Sequence, residues 1–148
     1  MPRHSETRHL PYTPEQLFDL VADVSHYDEF LPWVVAVRVR SSTDRETVAD
    51  LVVGFNAFKE RFTSRVTLDR PNLQILVEYL DGPFSRMQNR WNFNPADEHG
   101  CEIEFFIDYE FRSRTLGILM GTMFDAAFRR FAAAFEKRAD QIYGRAQG

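Results

Sequence analysis

A chain of 148 residues has room for one domain with a single substantial core, and residues 1–148 read as one unit without linker or internal repeat. Its 22 acidic and 18 basic side chains leave a net charge of −4, which argues against broad DNA or RNA binding and leaves only local basic patches open. A single cysteine, Cys101, excludes an internal disulfide, the polar start MPRHSETRH has no apolar core for a secretory signal, and no run nears the roughly 18 apolar residues of a membrane span. The expectation is a cytoplasmic protein whose contact with the inner face of a membrane, if any, is peripheral.

In chain order, Arg3 to Leu10 reads as a short edge strand. Thr13 as N-cap, Pro14 at the first helical position and Gln16 three residues after Thr13 make a capping box. Leu17, Leu20, Val21 and Val24 supply the apolar face of that helix. Ser25 with Asp28 repeats the start signal, predicting a second short helix over SHYDEFL that Pro32 stops.

From Trp33 the period becomes two. Val35, Val37 and Val39 alternate with Ala36, Arg38 and Arg40, SSTDRE supplies a turn, and Thr47 to Phe55 is the return strand. Phe58, Glu60, Phe62, Ser64, Val66 and Leu68 share one face of the next strand. After the turn Arg70-Pro71-Asn72 come Leu73, Ile75, Val77 and Tyr79; after Asp81-Gly82-Pro83 come Met87, Asn89, Trp91 and Phe93. Beyond the loop 94–100, Ile103, Phe105, Ile107, Tyr109 and Phe111 oppose Glu102, Glu104, Asp108 and Glu110.

The run from Leu116 to Ile142 is the longest periodic stretch. Met120, Met123, Phe124, Ala127, Phe128, Phe131, Phe135 and Ile142 trace one helical stripe, with Gly144 placed to cap the last turn. Burying that stripe is worth on the order of 10–20 kcal/mol before entropy, so the helix needs a large apolar partner. A meander with one apolar face is that partner. The predicted class is α+β: a curved antiparallel sheet around the long helix, with the short helices closing one end.

Four stretches then carry a resemblance. DVSHYDEFLPW (Asp23–Trp33), ADLVVGFNAFKERFTSRVTL (Ala49–Leu68), GPFSRMQNRWNF (Gly82–Phe93) and FEKRADQIYG (Phe135–Gly144) resemble the coenzyme Q-binding START-like family of the polyketide cyclase/dehydrase and lipid-transport superfamily. The resemblance runs from about Leu10 to Gly144 and implies a helix-grip fold with an elongated apolar cavity. It implies a ubiquinone-like polyisoprenoid lipid as ligand, no other cofactor, and a chaperone or carrier role in respiration. It also implies a second class of function, since bacterial relatives block association of ribosomal subunits. Mitochondrial members carry a presequence and this start has none, which fits a bacterial cytoplasmic member better.

By alternation Phe62, Val66, Val77, Tyr79, Met87, Trp91, Phe105, Ile107 and Tyr109 point inward from the sheet, and Met120, Met123, Phe124, Ala127, Phe128 and Phe131 face them from the helix. Adaptable Met and flat rings suit an isoprenoid tail. Periodicity does not separate a cavity from a solid core; the resemblance favours the cavity. Glu60, Asn89 and Arg138 interrupt apolar faces, either as structural polar groups or as partners for a head group. Gly117 and Gly121 lie one turn apart in the long helix, fitting close packing on a strand or a thinned cavity wall.

His4, His9, His26 and His99 are scattered without metal-ligand spacing, and no nucleophile elbow or phosphate loop appears. The reading is therefore non-enzymatic, with Glu60 and Tyr109 the acid/base candidates of a cyclase alternative. Arg112, Arg114, Arg129, Arg130 and Arg138 are either a solvated face paired with Asp125 and Glu136 or a patch for anionic lipid or ribosomal RNA. Phe30, Leu31 and Trp33 fit either membrane docking or packing over the cavity mouth.

Overall fold

The computed structural model describes residues 3–31, 33–55, 58–82, 84–96 and 100–144; within them, the side chains of Phe55, Phe58, Met120, Met123 and Phe128 are not described. Expectations placed on those five side chains and on Pro32, Pro83 and His99 lie outside the described residues.

Among the described residues, seven strands form one antiparallel sheet: β1 (Arg3–Leu10), β2 (Val34–Ser42), β3 (Glu46–Phe55), β4 (Phe58–Asp69), β5 (Gln74–Asp81), β6 (Phe84–Pro95) and β7 (Cys101–Phe111). Their order is β1-β7-β6-β5-β4-β3-β2. Strands β2 to β7 meander, and β1 crosses to the far edge beside β7. That crossing is bridged by helix α1 (Pro14–Ala22) and a 3₁₀ helix (Val24–Glu29). Helix α2 (Arg114–Ile142) then runs over the concave face.

Local chemistry explains the elements. The Thr13 hydroxyl accepts from the Gln16 N–H at 3.1 Å and the Gln16 side chain accepts from the Thr13 N–H at 3.0 Å, completing the box that starts α1. Ser113 caps α2 by accepting from the Leu116 N–H at 3.0 Å. Phe124, Ala127, Ala132, Phe135 and Ala139 are buried along α2.

Several expectations need correction. The second helix is a 3₁₀ turn without a side-chain cap, and Ser25 donates to Asp23 at 3.0 Å instead of capping a helix. In β2 Val34 is buried and Val37 packs against the core, while Val35 (51% exposed) and Val39 (38%) face solvent. Trp33 sits at φ 65° with its carbonyl accepting from the Gly54 N–H, and irregularities at Val34/Ala36 and Val39/Ser41 break the simple alternation. Leu73 belongs to the turn, at φ 52°, rather than to β5. Ile142 is 44% exposed, because the stripe passes to Tyr143, which packs on Tyr12. Gly144 does not take the left-handed conformation of a capping glycine.

Candidate functional site

Aromatic contacts fix α2 against the middle of the sheet. The Phe124 ring lies 5.4 Å from Phe84 and 5.4 Å from Phe111, and Phe131 lies 6.5 Å from Phe105. Phe135 meets Trp91 at 5.1 Å, Phe30 at 5.1 Å and Tyr27 at 5.4 Å, so the 3₁₀ segment is held on the helix by the same ring. Leu31 is buried, and the Arg130 guanidinium stands 5.5 Å over Trp33. Phe30, Leu31 and Trp33 therefore pack over the end of the sheet–helix interface.

Between these layers is a cavity of about 70 Å³. Phe62, Val66, Val77, Met87, Trp91 and Ile107 line it from the sheet, and Phe124, Ala127 and Phe131 line it from α2. Tyr79, Phe105 and Tyr109 do not. The Tyr79 hydroxyl accepts from the Phe84 N–H at 3.1 Å, Phe105 packs on Trp91 at 4.6 Å, and Tyr109 sets its edge against Phe84 and Phe111. The side chains of Met120, Met123 and Phe128 are outside the described set. The wall also includes Val24, Tyr27, Leu31, Val34, Leu51, Val53, Ser64, Asn89 and Phe135. Leu51 and Val53 were readable, since they alternate inward with Ala49 on β3. Val34 was hidden by the irregular start of β2, and Val24, Tyr27 and Leu31 by the 3₁₀ geometry.

Of Glu60, Asn89 and Arg138, Asn89 is on the described cavity wall. Arg138 donates to Glu29 at 2.8 Å and lies 5.2 Å over Phe30. Glu60 pairs in register with Val53 and is absent from the wall. The one ionisable side chain on the described wall is Tyr27; its hydroxyl donates to the Val21 carbonyl, and burial together with the Asp23 charge pushes its pKa up. Burial, with Asp125 nearby, pushes the Tyr109 hydroxyl up to about 12, and burial pushes the Cys101 thiol up to about 11. None of these is poised for proton transfer near neutral pH.

Gly117 and Gly121 pack toward Phe111, with a Cβ at each meeting its ring at 3.8 and 4.0 Å. The arginines around α2 are mostly engaged. Arg129 donates to Asp125 at 2.9 Å one turn away, and Arg112 donates to the Gly82 carbonyl. Glu136 accepts from Arg8 of β1 at 2.9 Å, not from an arginine of its own helix as the sequence suggested.

A curved antiparallel sheet gripping a C-terminal helix over an apolar cavity defines the START-like helix-grip class. The chain belongs to the family described as polyketide cyclase / dehydrase and lipid transport, whose sequence profile matches residues 10–136. It is 36% identical over 139 residues to the "Ribosome association toxin RatA" of Rickettsia prowazekii, covering 92% of this chain and 94% of that one. It is 34% identical over 146 residues to the mitochondrial "Coenzyme Q-binding protein COQ10 homolog B" of Xenopus laevis, covering 96% of this chain and 59% of that longer protein. Its fold matches the solution structure of an 18 kDa Caulobacter crescentus protein at a TM-score of 0.74 and 38% identity, over 97% of this chain and 99% of that one.

Proposed function

We propose that this protein binds a hydrophobic ligand of the isoprenoid-quinone class between sheet and α2, carrying or shielding it for respiratory electron transport without transforming it. The observation that carries this reading is the aromatic-lined cavity itself, since a domain needing only a core gains by filling such a space. The family's lipid-transport description and the coenzyme Q-binding relative support the choice of ligand. The absence of a poised acid or base on the described wall supports carriage over cyclisation.

At about 70 Å³ the cavity is well below the roughly 300–1,000 Å³ of a small-molecule site. A quinone ring therefore enters only if α2 or the 3₁₀ segment moves outward. Exchange with a bilayer would be peripheral: no helix of the described residues is long and apolar enough to cross a membrane. Ile118 (74% exposed) and Leu119 (53%), a few residues after Arg112 and Arg114 in the sequence, support such a contact.

The test is organic extraction of protein purified without detergent, followed by mass spectrometry. A quinone near one per chain is expected, and Val77→Lys should fold yet retain none, because a lysine facing the apolar wall repels the tail. Wild-type protein that carries no lipid and takes up no short-tailed quinone would overturn the reading.

A second reading, association with a ribosomal subunit, is favoured by the relative named for ribosome association and by the exposed Arg129 and Arg130 on the outer side of α2. The double substitution Arg129→Glu/Arg130→Glu should then abolish co-sedimentation with subunits at low salt. A wild-type chain that never co-sediments would remove this reading.

A further inference from the structure

Asn89 sits at the centre of the sheet, opposite Val77 of β5 and Ile107 of β7, with its side chain on the concave wall. It is 6% exposed, and its carboxamide oxygen has no hydrogen-bond partner among the described residues. Ser64, two strands away on β4 and 1% exposed, also lines the cavity, and its hydroxyl is likewise unpartnered. A buried polar group without a partner is a net cost to the fold, which Leu and Ala at these positions would remove. Folds retain such groups where something other than the fold uses them.

The chemistry of the wall says what that partner is. With Tyr27 already bonded to Val21, the described wall offers no counter-charge to a carboxylate, phosphate or ammonium group. A carboxamide carries both donors and an acceptor, its ends exchange by rotation about χ2, and a hydroxyl donates or accepts equally. We propose that Asn89, seconded by Ser64, is the head-group subsite of the cavity. It takes an uncharged oxygen at the end of an apolar ligand, as a carbonyl or as the hydroxyl formed on reduction. This rests on the cavity reading above and adds to it that the ligand is neutral and is held in both oxidation states.

The test uses the full chain with Asn89→Leu and Ser64→Ala. The probes are a decyl-substituted benzoquinone, its hydroquinone kept under argon, decylbenzene and dodecanoate, measured by equilibrium dialysis. Wild type should bind quinone and hydroquinone comparably, each about tenfold or more tighter than decylbenzene or dodecanoate. Asn89→Leu should lose about tenfold for both oxygenated probes, keep its affinity for decylbenzene, and melt no lower than wild type. Decylbenzene or dodecanoate bound as tightly as the quinone would overturn the subsite and leave the cavity reading standing, whereas no binding of any probe would remove both. If Asn89→Leu melts well below wild type and Ser64→Ala leaves ligand preference unchanged, these groups are structural and the proposal fails.

Discussion

Replacing Ala127 by Leu asks whether the space between sheet and helix is usable. Ala127 is 4% exposed, lies on the inner face of α2 and borders the cavity of about 70 Å³. The substitution adds three carbons, and Leu is nearly as good a helix former as Ala. If those carbons enter existing space, burial returns about 0.8 kcal/mol each. Fixing the Leu rotamer takes back roughly 0.5–1 kcal/mol, leaving a net gain of about 1.5 kcal/mol. For a chain of this size that is a rise in Tm of roughly 3–6 °C. In a fully packed core the same carbons would strain their neighbours and cost about 1–3 kcal/mol. The two cases differ in sign. Thermal unfolding without ligand decides between them, and dialysis of the decyl benzoquinone supplies the second readout, where the filled site should bind about tenfold or more weakly. A lower Tm for Ala127→Leu would refute the cavity.

Other expectations follow from single contacts. Gly117→Ala and Gly121→Ala place a methyl at ordinary contact distance from Phe111, so each should stabilise by roughly 0.5–1 kcal/mol, read by urea denaturation. Gly82→Ala should do the reverse and lower the urea midpoint markedly, since Gly82 holds φ 144° and its new Cβ would stand 2.6 Å from the Phe62 Cβ. A hydrogen bond to Asp140, then burial, pushes the Tyr12 hydroxyl up to about 12, and burial does the same at Tyr109. Both favour the neutral phenol in the fold, so their contribution is complete below pH 10 and is lost as pH rises toward 12. Tyr12→Phe should therefore lower stability at pH 7 and make the alkaline loss shallower in a melting series from pH 8 to 12; an unchanged slope would contradict this assignment.

What was legible in the sequence follows from which interactions are local. The capping box at Thr13 and Gln16 is set within four residues and is found as read. The alternation of β6 and β7 places Met87, Trp91, Phe105, Ile107 and Tyr109 inward because central strands have both neighbours to hold their register. Strand β2 has only one neighbour, and the left-handed Trp33 with two register shifts turned Val35 and Val39 outward, which no two-residue period predicts. The site was legible to the same depth. Asn89 could be seen as a polar residue within an apolar face, but whether it meets a partner or an open space is decided by β5, β7 and α2 together. The difference between Trp91, on the cavity wall, and Phe105, beside it in the packed core, lies in how completely neighbouring rings fill space, which no one-dimensional pattern records.

The two functional readings use different sides of α2, and this makes them separable. Phe124, Ala127, Phe131 and Phe135 face the cavity, while Arg129 and Arg130 are exposed on the outer side. Asp125 accepts from Arg129 one turn away and Arg130 rests over Trp33, and neither arginine is on the cavity wall. Val77→Lys therefore changes the cavity and leaves the arginines in place, and Arg129→Glu/Arg130→Glu does the converse. If each substitution removes only its own readout, the helix serves two independent partners. If Val77→Lys also ends ribosome association while the fold survives, occupancy of the cavity governs the outer face, and an outward movement of α2 or of the 3₁₀ segment on ligand entry would be the physical link between them.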